Sequence, residues 1–177
     1  MSGRRALGLG ATLAAAGVLL WRLRPDAASS EAPVEESAIV ARLATWSPTP
    51  PARPLSRMVG YAWAAPLTAA GLLVGALSAS RPHLHEGAVV FANAGGLAGR
   101  MLRWRRFSAA TLGHAIIALG EPSPSLLAHE LAHVRQAERF GPLFAPLYLA
   151  GLVRYGYRYN PFERAAYLAG RGPSRPA

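Results

Sequence analysis

An uncharged run over residues 58–80, flanked by Arg57 and Arg81, constrains the fold of this chain more than any other feature. A helix needs about 20 consecutive apolar residues to cross a bilayer, so this run is long enough. Pro66 is compatible with such a helix, because membrane-spanning helices tolerate proline and glycine. The alternative is a buried core helix, which usually carries some polar residues. We therefore predict a transmembrane helix over residues 58–80.

A second, shorter uncharged run covers residues 6–21 and lies between two pairs of arginines. A basic start followed by an apolar segment is typical of a signal sequence. The arginines that follow the run disfavour cleavage, so we interpret residues 1–24 as a signal anchor, with a cleaved signal peptide as the alternative. Residues 25–57 are rich in proline and predict an extended linker, with one short helix around residues 35–46.

The charge composition also favours a membrane protein. Only 16% of the residues are charged, against about 25% in soluble domains. The net charge is +10 and the chain has no lysine. The densest arginine cluster, RMLRWRR at residues 100–106, fits a basic patch that faces anionic lipid next to a membrane as well as it fits a nucleic-acid site. We expect no nucleic-acid binding, because no helix-turn-helix or related signature is present. The chain has no cysteine, which excludes disulfides and thiolate zinc ligands.

Residues 81–177 have the pattern of a compact α+β domain. Two β-rich segments, 87–96 and 111–120, end at glycines and predict strands. Three helices should follow, over residues 123–140, 143–156 and 160–170. Their boundaries are marked by capping residues and by glycine–proline or asparagine–proline pairs. Strands followed by helices are typical of the α+β class.

The segment LLAHELAHVRQ, residues 126–136, carries the strongest chemical signal in the chain. His129 and His133 are four residues apart and therefore share one helix face. Both imidazoles can bind a single Zn²⁺ at about 2.0–2.1 Å. Glu130 can then act as general base toward a water molecule that the metal makes more acidic. The alternative is a chance match, but two buried histidines and a glutamate without partners would carry a large desolvation penalty.

Catalytic zinc usually has three protein ligands, and elimination identifies the third. No histidine follows His133, and glutamine and arginine at positions 136 and 139 exclude a metzincin. Glu138 lies about 140° around the helix from His133 and faces elsewhere. Glu163 is the remaining candidate. A competing role is open to it, because Asn160 as N-cap would place the Glu163 carboxylate where it can close a capping box.

The motif HELAHVRQAERFGPLFAPLY followed by NPFERAAY resembles the gluzincin branch of zincin metallopeptidases. It is most similar to small bacterial zincin-like proteins in which HExxHxxQ precedes a glycine–proline break and an asparagine–proline–x–glutamate helix. The resemblance covers about residues 88–170. It implies that His129, His133 and Glu163 bind Zn²⁺ and that Glu130 is the catalytic base. It also implies a minimal zincin-like fold, in which a short sheet packs on the HExxH helix and an edge strand holds an extended substrate.

The remaining histidines and tyrosines are weaker candidates. His83 and His85 would share one face of a strand and could bind a metal, but surface positions are the simpler interpretation. His114 is interpreted as a structural histidine. One tyrosine could stabilise an oxyanion, and the choice among them stays open: Tyr148, Tyr155, Tyr157, Tyr159 and Tyr167.

We therefore expect a membrane-anchored, zinc-dependent hydrolase, most simply a metallopeptidase that acts on peptides or proteins. One alternative is a non-catalytic zincin-like module for interactions at the membrane. Another is a basic lipid- or nucleic-acid-binding protein in which HExxH is accidental. The expected location is the bacterial inner membrane, and the positive-inside rule favours a cytoplasmic domain over residues 81–177.

Overall fold

A computed structural model describes residues 38–45 and 49–170 of the chain. The predicted signal anchor, residues 1–24, and linker residues 25–37 and 46–48 lie outside the described residues, as do residues 171–177. The described residues form an α+β fold, as predicted. The six helices in this part of the chain are α1 (Ala38–Ala44), α2 (Pro54–Ala76), α3 (Gly96–Arg105), α4 (Pro124–Phe140), α5 (Phe144–Tyr159) and α6 (Pro161–Gly170).

The sheet has four short strands: β1 (Pro82–His85), β2 (Ala88–Phe91), β3 (Ala109–Leu112) and β4 (Ala115–Ala118). Their spatial order is β1-β2-β4-β3. Strands β1 and β2 pair antiparallel, β2 and β4 pair parallel, and β3 and β4 pair antiparallel. Strand β3 is therefore an edge strand.

The two central strands are covered on both faces, which explains their uninterrupted apolar sequences. On one face, Val90 and Ile116 pack against Leu131 and Val134 of α4. On the other face, the cluster contains β2 and β4 side chains together with residues of α3, namely Phe91, Ile117, Ala98 and Leu102. Helix α4 is thus held against the sheet, with β3 next to it.

Between residues 87 and 120 the structure differs from the prediction in one strand and in one additional helix. The second predicted strand, 111–120, is a hairpin in which β3 and β4 are joined by Gly113–His114. The prediction of one strand was wrong because both halves are short and apolar. Helix α3 was not predicted, because its buried face has small residues and its outer face has arginines and large apolar residues. Strand β1 extends the sheet to residue 82.

Helix α2 is long and apolar enough to cross a membrane, with a mean hydropathy of 1.4, and most of its surface is exposed. It begins at Pro54 and ends at Ala76, four residues earlier than predicted at each end. Proline is favoured in the first helical turn, which accounts for the earlier start. One stripe of small residues packs on the rest of the fold. A Cβ at Gly71 would collide with Leu112, and one at Gly75 would collide with Phe91.

Residues that precede position 81 contribute to the same core as those that follow it. Leu43 of α1 and Ala64 of α2 belong to one hydrophobic cluster with residues of α4, α5 and α6, namely Ala137, Phe144, Phe162 and Ala165. The short helix predicted around residues 35–46 is therefore present as α1, and it packs in the core.

Candidate metal centre

Helix α4 presents the two motif histidines on one face, as their spacing predicts. Its first turn is capped by Ser123, whose hydroxyl accepts a hydrogen bond from the amide of Leu126. His129 and His133 are 8% and 6% exposed. Their Nε2 atoms lie 3.2 Å apart. The helix therefore brings two imidazole nitrogens to one buried point.

Helix α6 brings Glu163 to the same point. Its Oε1 atom lies 3.3 Å from Nε2 of His133, and its Oε2 atom lies 3.5 Å from Nε2 of His129. Ligand atoms about 2.0–2.1 Å from one tetrahedral zinc ion are about 3.3 Å apart, so these separations fit. The buried Oε2 atom has no hydrogen-bond partner, which is costly for a carboxylate unless a cation balances it. This buried group could hold a metal ion.

In the structure the carboxylate of Glu163 does not form a capping box with Asn160. Asn160 caps α6 with its side-chain oxygen, which accepts a hydrogen bond from the amide of Phe162 at 3.2 Å. The amide of Asn160 itself bonds to the carbonyl of Tyr157. The Glu163 carboxylate instead faces the histidines, and Tyr148 donates a hydrogen bond to its Oε1 atom at 2.5 Å.

Gln136 explains why His133 directs Nε2 toward the centre. The Nδ1 atom of His133 lies 2.9 Å from Oε1 of Gln136, so Nδ1–H donates and the Nε2 lone pair remains available. The amide nitrogen of Gln136 donates to the carbonyl of Phe162 at 3.1 Å. Gln136 therefore connects the HExxH helix to the helix that carries Glu163. The sequence signal for this role is the spacing HExxHxxQ.

Electrostatics couple His133 and Glu163. Burial by itself lowers the pKa of His133, but the carboxylates of Glu163 and Glu130 raise it, and the net pKa rises from 6.5 to about 9. Burial by itself raises the pKa of Glu163, whereas His133 and His129 lower it, and the net direction is downward. Near neutral pH a proton on His133 compensates the buried carboxylate, and a bound metal cation would replace that proton.

Glu130 is 3% exposed and follows the first histidine on α4. Thr111 of the edge strand β3 donates a hydrogen bond to its Oε2 atom at 2.6 Å. This contact holds the carboxylate between the sheet and the histidine pair. Sequence reasoning missed Thr111, because a hydrogen bond between a strand and a helix leaves no local pattern.

A cleft runs past Glu130 and the histidine pair. It consists of two cavities of about 390 Å³ and about 350 Å³. Both cavities are lined by one common set of residues, namely Phe107, Ala109, His129, Glu130 and Tyr157. The larger cavity continues past Arg106 and Tyr167, and the other follows β3 toward Leu67 and Tyr148. The edge strand therefore borders the candidate centre.

The structure divides the five candidate tyrosines into two groups. Tyr148, Tyr157 and Tyr167 line the cleft, whereas Tyr155 and Tyr159 line neither of its two cavities. Burial and the Glu163 carboxylate raise the pKa of each of the three cleft tyrosines, so their hydroxyls stay protonated and can donate.

Tyr157 lies in the cleft directly after a break in α5. The break is at Gly156, which has φ 73° and ψ 172°. Only glycine adopts this conformation without strain. The break in α5 therefore immediately precedes a residue that lines the cleft.

The other histidines lie away from the centre. His83 is exposed on β1 and His85 is partly buried; among the described residues, neither belongs to a group of three possible metal ligands. The structural interpretation of His114 is confirmed. Its Nδ1 atom lies 3.0 Å from the Thr68 hydroxyl and its Nε2 atom lies 3.0 Å from Oε1 of Glu138.

Comparison with protein families, with curated proteins and with solved structures finds no match to this chain. The likeness to gluzincins therefore depends on the residues of the motif and on the arrangement described above.

Proposed function

We propose that the chain is a membrane-anchored, zinc-dependent peptidase with a minimal gluzincin-like site. The observation that carries this proposal is the buried group of His129, His133 and Glu163, with Glu130 beside it and a cleft across it. Two imidazoles and one carboxylate form a typical ligand set for catalytic zinc. Such a set leaves a coordination position for water or substrate.

Within this proposal each residue has a distinct task. Zinc, when bound, supplies a Lewis acid that makes water nucleophilic near neutral pH. Glu130, held by Thr111, accepts the proton of the attacking water and passes it to the leaving amine. Tyr148 and Gln136 keep Glu163 and His133 oriented. Tyr157 lines both cavities and is the tyrosine best placed to donate to the developing oxyanion.

A peptide is the favoured substrate because an edge strand borders the site. Strand β3 pairs with β4 on one side only. An extended peptide can add to such a free edge through main-chain hydrogen bonds. This arrangement would place the scissile carbonyl next to Glu130 and the histidine pair.

The apolar surface of α2 supports membrane anchoring. Its outward face exposes large side chains, including Leu55, Met58 and Leu73, which are 71%, 68% and 72% exposed. Soluble proteins rarely expose a contiguous apolar surface of this kind. The inner stripe of Gly60, Ala64 and Gly71 packs on the rest of the fold, so the outward face is the one that is free to contact lipid. We propose that the outward face contacts lipid.

The test is metal analysis and peptidase assay of the full-length chain purified with zinc. Unfolded casein serves as the substrate, and mass spectrometry locates the cleaved bonds. We expect about one zinc per chain.

Glu130→Gln should retain the metal and lose cleavage, because the amide cannot accept a proton. Glu121→Gln, in the exposed loop before α4, is the matched control and should retain both. Undiminished cleavage by Glu130→Gln would contradict the assigned base, and zinc-free protein would contradict the site.

A further inference from the structure

Helix α3 exposes apolar side chains on its outer face. Leu97, Met101 and Trp104 are 64%, 50% and 70% exposed. Their spacing of four and then three residues places them on one stripe of the helix. The opposite face is buried through Ala98 and Leu102. Half or more of each of these side chains is therefore exposed.

Arginines flank this stripe. Arg100, Arg103 and Arg106 are exposed, and none of them forms an ion pair with a carboxylate of the described residues. No acidic residue occurs between positions 87 and 120. A ligand for this surface must therefore offer apolar material at the centre and negative charge around it.

The position of α3 connects this surface to the apolar face of α2. The amide of Gly95 donates to the carbonyl of Ser78 at 2.7 Å, and the amide of Ala98 donates to the carbonyl of Leu77 at 3.3 Å. Helix α3 thus begins where α2 ends. Leu77 and Leu97 are both more than half exposed, so the apolar surface continues from one helix to the other.

We propose that α3 is an interfacial helix that docks on the surface of an anionic lipid bilayer. The Leu97–Met101–Trp104 stripe enters the interface, where tryptophan is favoured. The flanking arginines contact lipid phosphates. A second copy of the chain would bring like charges together, and a nucleic acid would have to be unstacked before leucine and methionine at the centre of the patch could contact its bases. The lipid interface satisfies both requirements.

Docking in this way places the cleft at the membrane surface. Arg106 and Phe107 directly follow α3, and both line the cleft beside His129 and Glu130. A substrate held at the bilayer surface would therefore meet the site directly. The docking itself does not depend on a metal or on catalysis.

The cysteine-free sequence allows a direct test. A single cysteine is introduced by Met101→Cys and labelled with an environment-sensitive fluorophore. Leu73→Cys on α2 and Glu121→Cys in the exposed loop provide the lipid and water controls. The full-length labelled chains are reconstituted into nanodiscs of phosphatidylcholine alone, or with about a third phosphatidylglycerol as anionic lipid. Quenching by nitroxide lipids reports the depth of each label.

The label at 101 should be quenched in anionic discs, the label at 73 in both compositions, and the label at 121 in neither. Arg100→Gln with Arg103→Gln should weaken docking of α3 about 30-fold, or about fivefold for each arginine. If the label at 101 stays in water while the label at 73 is quenched, this proposal is overturned and the lipid contact of α2 stands. A change in the fluorescence of the label at 101 that requires a second copy of the chain would also overturn it. The same holds for a change that follows addition of an oligonucleotide instead of lipid.

Discussion

Two buried clusters among the described residues combine histidine with glutamate, and one of these two has the arrangement of a metal site. In the first, His114 contacts Thr68 and Glu138, and Arg135 donates to Glu138 at 2.7 Å. In the second, the Nε2 atoms of His129 and His133 converge on Glu163. Both clusters are buried, so burial of these residue types is not what distinguishes a metal site.

The difference lies in the partners of each polar atom. In the His114 cluster both ring nitrogens have a protein partner, and an arginine balances the carboxylate. In the other cluster two ring nitrogens face each other at 3.2 Å and Glu163 Oε2 has no hydrogen-bond partner. A set of converging nitrogen and oxygen atoms, with one carboxylate oxygen that lacks a hydrogen-bond partner, is suited to a cation, whereas a set of matched donors and acceptors is structural.

The largest expected effect concerns the third ligand. Glu163→Gln should lower zinc affinity more than about 100-fold, because even supporting residues of metal sites contribute about 10–100-fold. The amide keeps the size of the side chain, so the variant should still fold, although the metal-free protein should lose the stabilisation from the His133–Glu163 pair. Competition with a fluorescent zinc chelator measures the affinity. Near-normal affinity would return Glu163 to a purely structural role.

Gln136 provides a smaller test within the same cluster. Gln136→Leu removes the acceptor that orients His133 and the donor to Phe162. We expect zinc affinity to fall about 10–100-fold, as for other residues that support a metal ligand. Gln136→Glu, which retains the acceptor, should recover most of this loss. Equal affinities of the leucine variant and the wild type would contradict the orienting role.

Substitution of His114 tests whether its cluster has a structural role. His114→Ala leaves Glu138 and Thr68 without their ring partner, and should lower the free energy of unfolding by about 1–3 kcal/mol. Zinc affinity should stay within about twofold of wild type, since the two clusters share no hydrogen-bond or ion-pair partner. Chemical denaturation and the same chelator competition give the two values. A large loss of zinc with unchanged stability would reverse the assignment of the two clusters.

The pH dependence of zinc binding should be the smallest of these effects, but its sign is specific. Because the pKa of His133 is raised to about 9, the metal-free protein holds a proton there at pH 7. Zinc binding at pH 7 should release about one proton from this ring, and the release should disappear above pH 9. Calorimetry in buffers of different ionisation enthalpy measures it.

The same raised pKa affects the stability of the metal-free protein. The stabilisation from the His133–Glu163 pair is complete between pH 4.5 and pH 6.5, the ordinary pKa values of the two groups, and is lost as the pH rises through about 9. His133→Gln should remove this dependence. Unchanged stability of the metal-free wild type as the pH rises from 6.5 through about 9 would contradict the coupling.

The sequence predicted those features whose signals are local. Helix α4 has a serine cap and a glycine stop, and the spacing of its histidines places them on one face. Glu163 was found by elimination, because few acids follow the motif. Long-range contacts could not be predicted: Thr111 reaches Glu130 from a strand, and Gln136 reaches Phe162 across two helices. Helix α3 was missed because its apolar stripe faces outward, which reverses the usual pattern.

The position of Glu163 in the sequence also determines when the site can form during synthesis. Glu163 lies on α6, which follows α4 and α5 in the chain. Helix α6 in turn packs in one cluster with Leu43 of α1. A nascent chain that has produced α4 therefore carries both histidines but lacks the carboxylate, and the ligand set is complete only when α6 has been made and has docked.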